Sequence, residues 1–291
     1  MLHSMISERK KLMGKHIFTC EWIGTQRDIQ RYGNIKSIKS DITIMIESFE
    51  QKYSRFREES LVSNYNRTWV IPDDADFLIM MALWEEYRQK THGYFSLWVG
   101  GYLEELGYGR RDTSLKHHSR VKTFGAFGAS LQLDFWGIWK GFLIQKIASY
   151  FEISWVSCYM INGWGDILIS QDSLDNFGPI GLQHPLEPDQ YFIQLELFHG
   201  AVAGSGIQYR KRETEDWSQH HLIDPTTGKS SEQGIYSIFV QHTNIILADC
   251  MATALFVMPL ENLSKIAKEV EVEYCIVFDD MTILRSEWFG D

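Results

Sequence analysis

Cysteine is scarce: Cys20, Cys158, Cys250 and Cys275 are the four in 291 residues, and none stands in a CxxC pair. That spacing argues against a disulfide framework, and three of the four lie in apolar stretches, so they read as reduced, buried thiols. Long apolar runs are missing as well. No segment reaches the ~20 residues of a membrane span. Residues 1–16 carry no apolar stretch of the signal-peptide kind. A flexible leader over 1–15 and a single domain over 16–291, in a cytoplasmic protein, are expected. Positive charge is in deficit too, with 28 Lys and Arg against 38 Asp and Glu and a formal charge of −10. No basic cluster offsets that balance, which argues against nucleic acid as a partner, although scattered basic residues still permit a nucleotide. Repeats, low-complexity tracts and long linkers are absent.

Aromatic residues are plentiful: 10 Trp, 13 Tyr and 17 Phe. They suit either a large core or a surface that stacks on flat rings. The opening HIFTCEWIGTQR is strand-like, with a turn at Gly24. Ile38, Ile42, Met45, Ile46 and Phe49 recur at helical spacing over 35–53, and the spacing predicts an amphipathic helix. The polar stretch YSRFREESLVSNYN then reads as a loop. Pro72 opens a second helix running to Thr91, followed by the glycine-interrupted HGYFSLWVGGYLEELGYG. Residues 110–124 form a basic stretch with His117 and His118, read as a solvated loop. Downstream, alternating stretches predict antiparallel strands with a hairpin at His199–Gly200, a tight loop at Gly204-Ser205-Gly206, and turns at 224–228 and Asp279-Asp280.

Two stretches carry chemistry. In LQLDFWGIWKGFLIQK, residues 131–146, an alternating run gives way to a helical period, so Gly137 to Gly141 are expected to form a strand-to-helix turn. Unpaired N–H groups at such a helix start favour an anion, and Asp134 and Lys140 add one charge of each sign. In ADCMATALFVM, residues 248–258, Asp249 and Thr253 share one helix face and can offer two hard oxygens to one Mg²⁺. A capping Asp and a Thr bonded back to a carbonyl would leave the same pattern. His221 precedes the DPTTG turn, where it is either structural or a base of near-neutral pKa.

Taken in order, FTCEWIGTQ, YSRFREESLVSNYN, HGYFSLWVGGYLEELGYG, LQLDFWGIWKG, NGWGDI, and AGSG with HHLIDPTTGK and ADCMATALFVM resemble the FAD:protein FMN transferase (ApbE-like) family from about Phe18 to Phe289. The resemblance implies an α+β fold of antiparallel sheets with flanking helices that holds FAD, as substrate, beside Mg²⁺. Family members move the FMN half of FAD onto a Thr or Ser hydroxyl of a target protein and release AMP. By the same resemblance Asp249, Thr253 and a backbone oxygen at Gly137 hold the metal; Gly93, Tyr94, Phe95, Asp134 and Lys140 meet FAD; and His221 matches the histidine of the HxxDP block. This chain departs from the usual pattern at Ser96, Trp98 and Gly101, at Trp164, at Gly204, and at the bulky Phe135, Trp136 and Trp139. Trp98, Trp136, Trp139 and Trp164 are therefore expected beside the flavin pocket, stacking on the ring or filling its space. A protein that binds FAD, one that hydrolyses it to FMN and AMP, and a silent scaffold are the alternatives.

Overall fold

The computed structural model describes residues 15–22, 25–32, 38–108, 131–170, 177, 179–184, 187, 189–197, 199–207, 212–213 and 218–290. His117 and His118, and nearly all of the expected leader, lie outside them. An eight-stranded antiparallel sheet has the order β1-β2-β3-β4-β7-β12-β13-β14. Its strands are β1 (Lys15–Trp22), β2 (Thr25–Tyr32), β3 (Tyr159–Gly163), β4 (Asp166–Ile169), β7 (Gly200–Gly206), β12 (Ile235–His242), β13 (Glu273–Phe278) and β14 (Ile283–Arg285). The hairpin of β5 (Ile180–Gln183) and β6 (Tyr191–Leu195) forms a separate pair, as do the short strands β8 (Arg212–Glu213) with β9 (Ser218–Gln219), and β10 (Ile223–Asp224) with β11 (Lys229–Ser230). Alternation along a strand sends successive side chains to opposite faces. In β4, Leu168 joins the helix-side core, whereas Ile167 and Ile169 join Leu182 and Leu195 of the small hairpin on the other face. The α+β expectation is met.

Helices cover one face. α1 (Ile38–Tyr53) buries Ile38, Ile42, Ile46, Phe49 and Tyr53, the stripe its spacing predicts. α2 (Leu61–Thr68) corrects the loop expected there. Ser60 caps it by accepting from Ser63 N at 3.0 Å, and Val62 and Tyr65 give the short helix a buried side. α3 (Ala75–Lys90) starts at Asp74, which accepts from Phe77 N at 3.0 Å. α4 (Gly100–Glu105) is a short turn of helix, and α7 (Leu260–Glu269) is a surface helix that buries Leu263, Ile266 and Ala267. Between the outer helices and the sheet run α5 (Trp136–Ile153) and α6 (Ile245–Val257). Twelve of the thirteen residues of α6 are buried, and Thr253 is the exception. A helix apolar on every side belongs in a core.

Three further expectations are corrected. Residues 131–134 form no strand and Gly137 to Gly141 form no turn, because α5 begins at Trp136. The Asp134 carboxylate accepts from Trp136 N at 2.9 Å, which satisfies a helix-start donor before the glycines are reached. Gly204, Ser205 and Gly206 end a strand instead of forming a loop. His199 and Gly200 close no hairpin, since β6 pairs with β5 and β7 pairs with β4 and β12. The expected turns between β10 and β11 and between β13 and β14 are present.

Candidate active site

Two glycine positions let α5 and α6 come together. A Cβ at Gly141 would lie 2.8 Å from Ile245 O and 3.0 Å from Asp249 Cβ, and one at Gly137 would lie 3.2 Å from the Phe95 ring and 4.0 Å from Thr253 Cγ2. With no side chain in the way, Gly141 N donates to Asp249 Oδ2 at 2.8 Å. Asp249, on the central helix, is 1% exposed. Its other oxygen, Oδ1, lies 3.1 Å from Lys140 Nζ yet accepts no hydrogen bond among the described residues. Thr253 stands one turn further along, with Oγ1 3.4 Å from the Ser205 hydroxyl of β7, a loose contact for two hydroxyls.

Lys140 also reaches Asp166 Oδ2 at 2.5 Å. Asp166 opens β4 directly after a two-residue turn in which Trp164 and Gly165 both have positive φ, 59° and 87°. That is the turn geometry that suits a twisted hairpin. The second Asp166 oxygen accepts from Gly204 N at 2.9 Å. Two buried carboxylates and one ammonium thus share a small volume. Burial pushes the Asp166 carboxyl up to about 7, with Lys140 opposing and Asp249 adding to the rise. Burial alone would lower the Lys140 ammonium, but Asp166 and Asp249 outweigh it and hold the group above its ordinary value.

A second group lies at the start of α5. Arg55 Nε donates to Asp134 Oδ2 at 2.6 Å, and Arg55 Nη2 donates to Tyr108 O at 2.6 Å. The ring of Tyr108 meets that of His221 edge-on at 6.3 Å. The structure therefore brings Lys140, Asp249, Thr253 and Gly137 into one cluster and connects Asp134 to His221 in a neighbouring one. Phe95 is fully buried against Gly137, Tyr94 is half-buried, and the space beside Gly93, at φ 92°, is open. His220 is buried, with its ring bonded to Ser231 O and Leu222 N, a structural arrangement. Sequence reasoning assigned no role to Arg55 or Asp166. Asp166 had a signal: alternation in β4 places it on the core face with Leu168, where a carboxylate needs a partner.

The tryptophans divide. Trp98 stacks on Trp69 at 5.8 Å and 9°, with Trp84 and Tyr65 at its edges, and Trp139 is buried beside Phe49. Trp139 fills core, whereas Trp98, Trp136 and Trp164 are half-buried against it.

Solved structures share this architecture. The flavin transferase ApbE of Vibrio cholerae has a TM-score of 0.78 at 20% identity, covering 95% of this chain and 98% of its own. The ApbE protein of Thermotoga maritima has the same TM-score at 23% identity and the same coverage. The fold is thus that of the flavin transferases. In sequence, the FAD:protein FMN transferase of Vibrio cholerae is 24% identical over 267 residues, 83% of this chain and 79% of that protein. The protein of the same description from Treponema pallidum is 25% identical over 174 residues, 56% of this chain and 48% of that protein. The ApbE family pattern matches residues 23–276, and the chain belongs to the ApbE family.

Proposed function

We propose that the chain is an FAD:protein FMN transferase, moving the FMN moiety of FAD to a Thr or Ser hydroxyl of a target protein and releasing AMP. The observation that carries this reading is the cluster in which α6 sets Asp249 beside Lys140 and Thr253 one turn further along, beside Gly137 and the Ser205 hydroxyl. Mg²⁺ belongs to the same reading. Asp249 Oδ1, engaged only by the 3.1 Å ion pair to Lys140 among the described residues, the loosely held Thr253 hydroxyl and the backbone near Gly137 are hard oxygen donors of the kind that ion takes. Once bound there, Mg²⁺ would neutralise diphosphate charge and stabilise departing AMP.

The chain's own residues divide the remaining work. Lys140 supplies an ammonium at the same opening, suited to a phosphate oxygen. Asp134 has both oxygens engaged by Arg55 and Trp136 N, so it sets the start of α5 that presents Gly137 and Lys140. Gly93 and Tyr94 offer surface to the flavin, while the enclosed Phe95 fixes their backbone through Thr91, whose hydroxyl accepts from Phe95 N at 3.0 Å. In the transfer, the acceptor oxygen bonds to the FMN phosphorus, the bond from that phosphorus to the bridging oxygen breaks, and AMP leaves with that oxygen. The acceptor proton passes to His221, held beside Tyr108 at the end of the Asp134–Arg55 chain. A reducing, cytoplasmic setting fits the free, buried thiols of Cys250 and Cys275.

The purified chain is to be incubated with FAD, Mg²⁺ and proteins of its source cell, following AMP release and covalent flavin fluorescence on gels. The expected result is AMP together with a flavin-bearing polypeptide, both lost in Asp249→Ala. AMP and free FMN with no labelled polypeptide would make the chain an FAD hydrolase instead.

A further inference from the structure

Two carboxylates face one ammonium at the site, and they hold it unequally. Lys140 Nζ is 2.5 Å from Asp166 Oδ2, a charge-assisted hydrogen bond, and 3.1 Å from Asp249 Oδ1, which accepts none among the described residues. Asp166 is completely buried, anchored by Gly204 N on its other oxygen, and set in a strand paired on both sides. Asp249 is fixed by Gly141 N on a helix buried all round. Neither carboxylate can follow the lysine. The ammonium, at the tip of a flexible four-carbon stem, is the movable part.

We propose that Asp166 is a positioning residue whose task is to hold the Lys140 ammonium on its own oxygen at 2.5 Å, so that the 3.1 Å ion pair to Asp249 Oδ1 stays the looser of the two and gives way to a divalent cation. The inference rests on the metal reading given above and adds to it a residue that is not itself a ligand. With Asp166 ionised the cluster carries two negative charges against one positive, which leaves room for a further cation. With Asp166 neutralised, the lysine has one carboxylate left to pair with, and it is the one the cation needs. A divalent ion must then displace a buried ion pair that Asp166 no longer competes for, which costs more than displacing the looser 3.1 Å pair of the parent.

The test is a double-mutant cycle on the full chain, read as Mn²⁺ affinity from the electron spin resonance of the free ion, with folding checked by thermal melting. Mn²⁺ accepts the same oxygen donors as Mg²⁺. Asp166→Asn is expected to weaken binding about tenfold or more, a coupling of the size that contacting groups show. Adding Lys140→Met in that background is expected to restore affinity to within about threefold of the parent, because no ammonium remains to occupy Asp249. In the parent background the same Lys140→Met change is expected to gain less. Equal gains in both backgrounds would mean that Asp166 acts through its charge alone, which overturns the inference. If Asp166→Asn alone does not fold, the double variant decides, since it removes one charge of each sign and strands neither. Parent-like affinity supports the inference, and a loss of about tenfold overturns it. A parent that binds no Mn²⁺, indistinguishable from Asp249→Ala, would remove the metal reading itself and this inference with it.

Discussion

Asp134 and Asp249 are both nearly closed to solvent, at 5% and 1% exposure, and both touch the first turns of α5. Asp134 is complete: a buried guanidinium takes one oxygen and a helix-start amide takes the other. Asp249 receives an amide on one oxygen, while the other is met among the described residues by the Lys140 ammonium at 3.1 Å, without a hydrogen bond. A carboxylate with both oxygens hydrogen-bonded contributes to the frame, whereas one held on one side by a loose ion pair in a buried site is a place for a ligand. The difference between frame and site therefore lies in what satisfies each group, since burial is the same for both.

The comparison is sharpened most by exchanging the two residues for alanine. Asp134→Ala strands Arg55 in the interior and should cost about 3–5 kcal/mol in urea unfolding, the usual penalty for breaking a buried pair from one side. Asp249→Ala leaves Lys140 still paired with Asp166 and removes a like charge from beside it. It should shift stability by less than about 1 kcal/mol while abolishing metal binding. Equal destabilisation by the two would break the distinction. A middle-sized effect is expected at the helix crossing. Gly141→Ala puts a methyl where Ile245 O and Asp249 Cβ already stand, and should cost about 1–3 kcal/mol and weaken Mn²⁺ binding at the same time. The smallest effect lies away from the site, at Asp74, which caps α3 and accepts from Tyr53 Oη at 2.5 Å. Burial would raise this carboxyl, but hydrogen bonds from Tyr53, Lys52 and Phe77 N outweigh it and hold it below its ordinary value. A depressed carboxyl stabilises above its unfolded pKa and loses that contribution as pH falls. Asp74→Ala should therefore cost about 1 kcal/mol at neutral pH, and the gap should close as pH drops below about 4.

Much of the frame was legible because its signals are local. The stripe of α1, the polar pair on α6 and the Asp224 and Asp279 turns all lie within a few residues of their causes. Gly137 and Gly141 misled for an instructive reason: they read as turn residues, whereas their purpose is to let two helices touch, and the second helix lies more than a hundred residues away in the chain. Arg55 was hidden the same way, since its partner Asp134 is 79 residues distant. α2 was missed because its apolar side rests on Val62 and Tyr65 within only eight residues, among polar neighbours that read as a loop. The aromatic neighbours of Trp98 and Trp139, Trp69 and Phe49, are ones that no short window joins to them.

The enclosure of α6 has a further consequence. Regions that open locally are those with few buried contacts and exposed backbone, and α6 has neither property. Its amides should exchange with solvent hydrogen only when the entire molecule unfolds, so Asp249 has no partly open state through which its placement could be lost. Thr253, the one residue of the helix left partly exposed, shares that fixed placement, one turn along from Asp249.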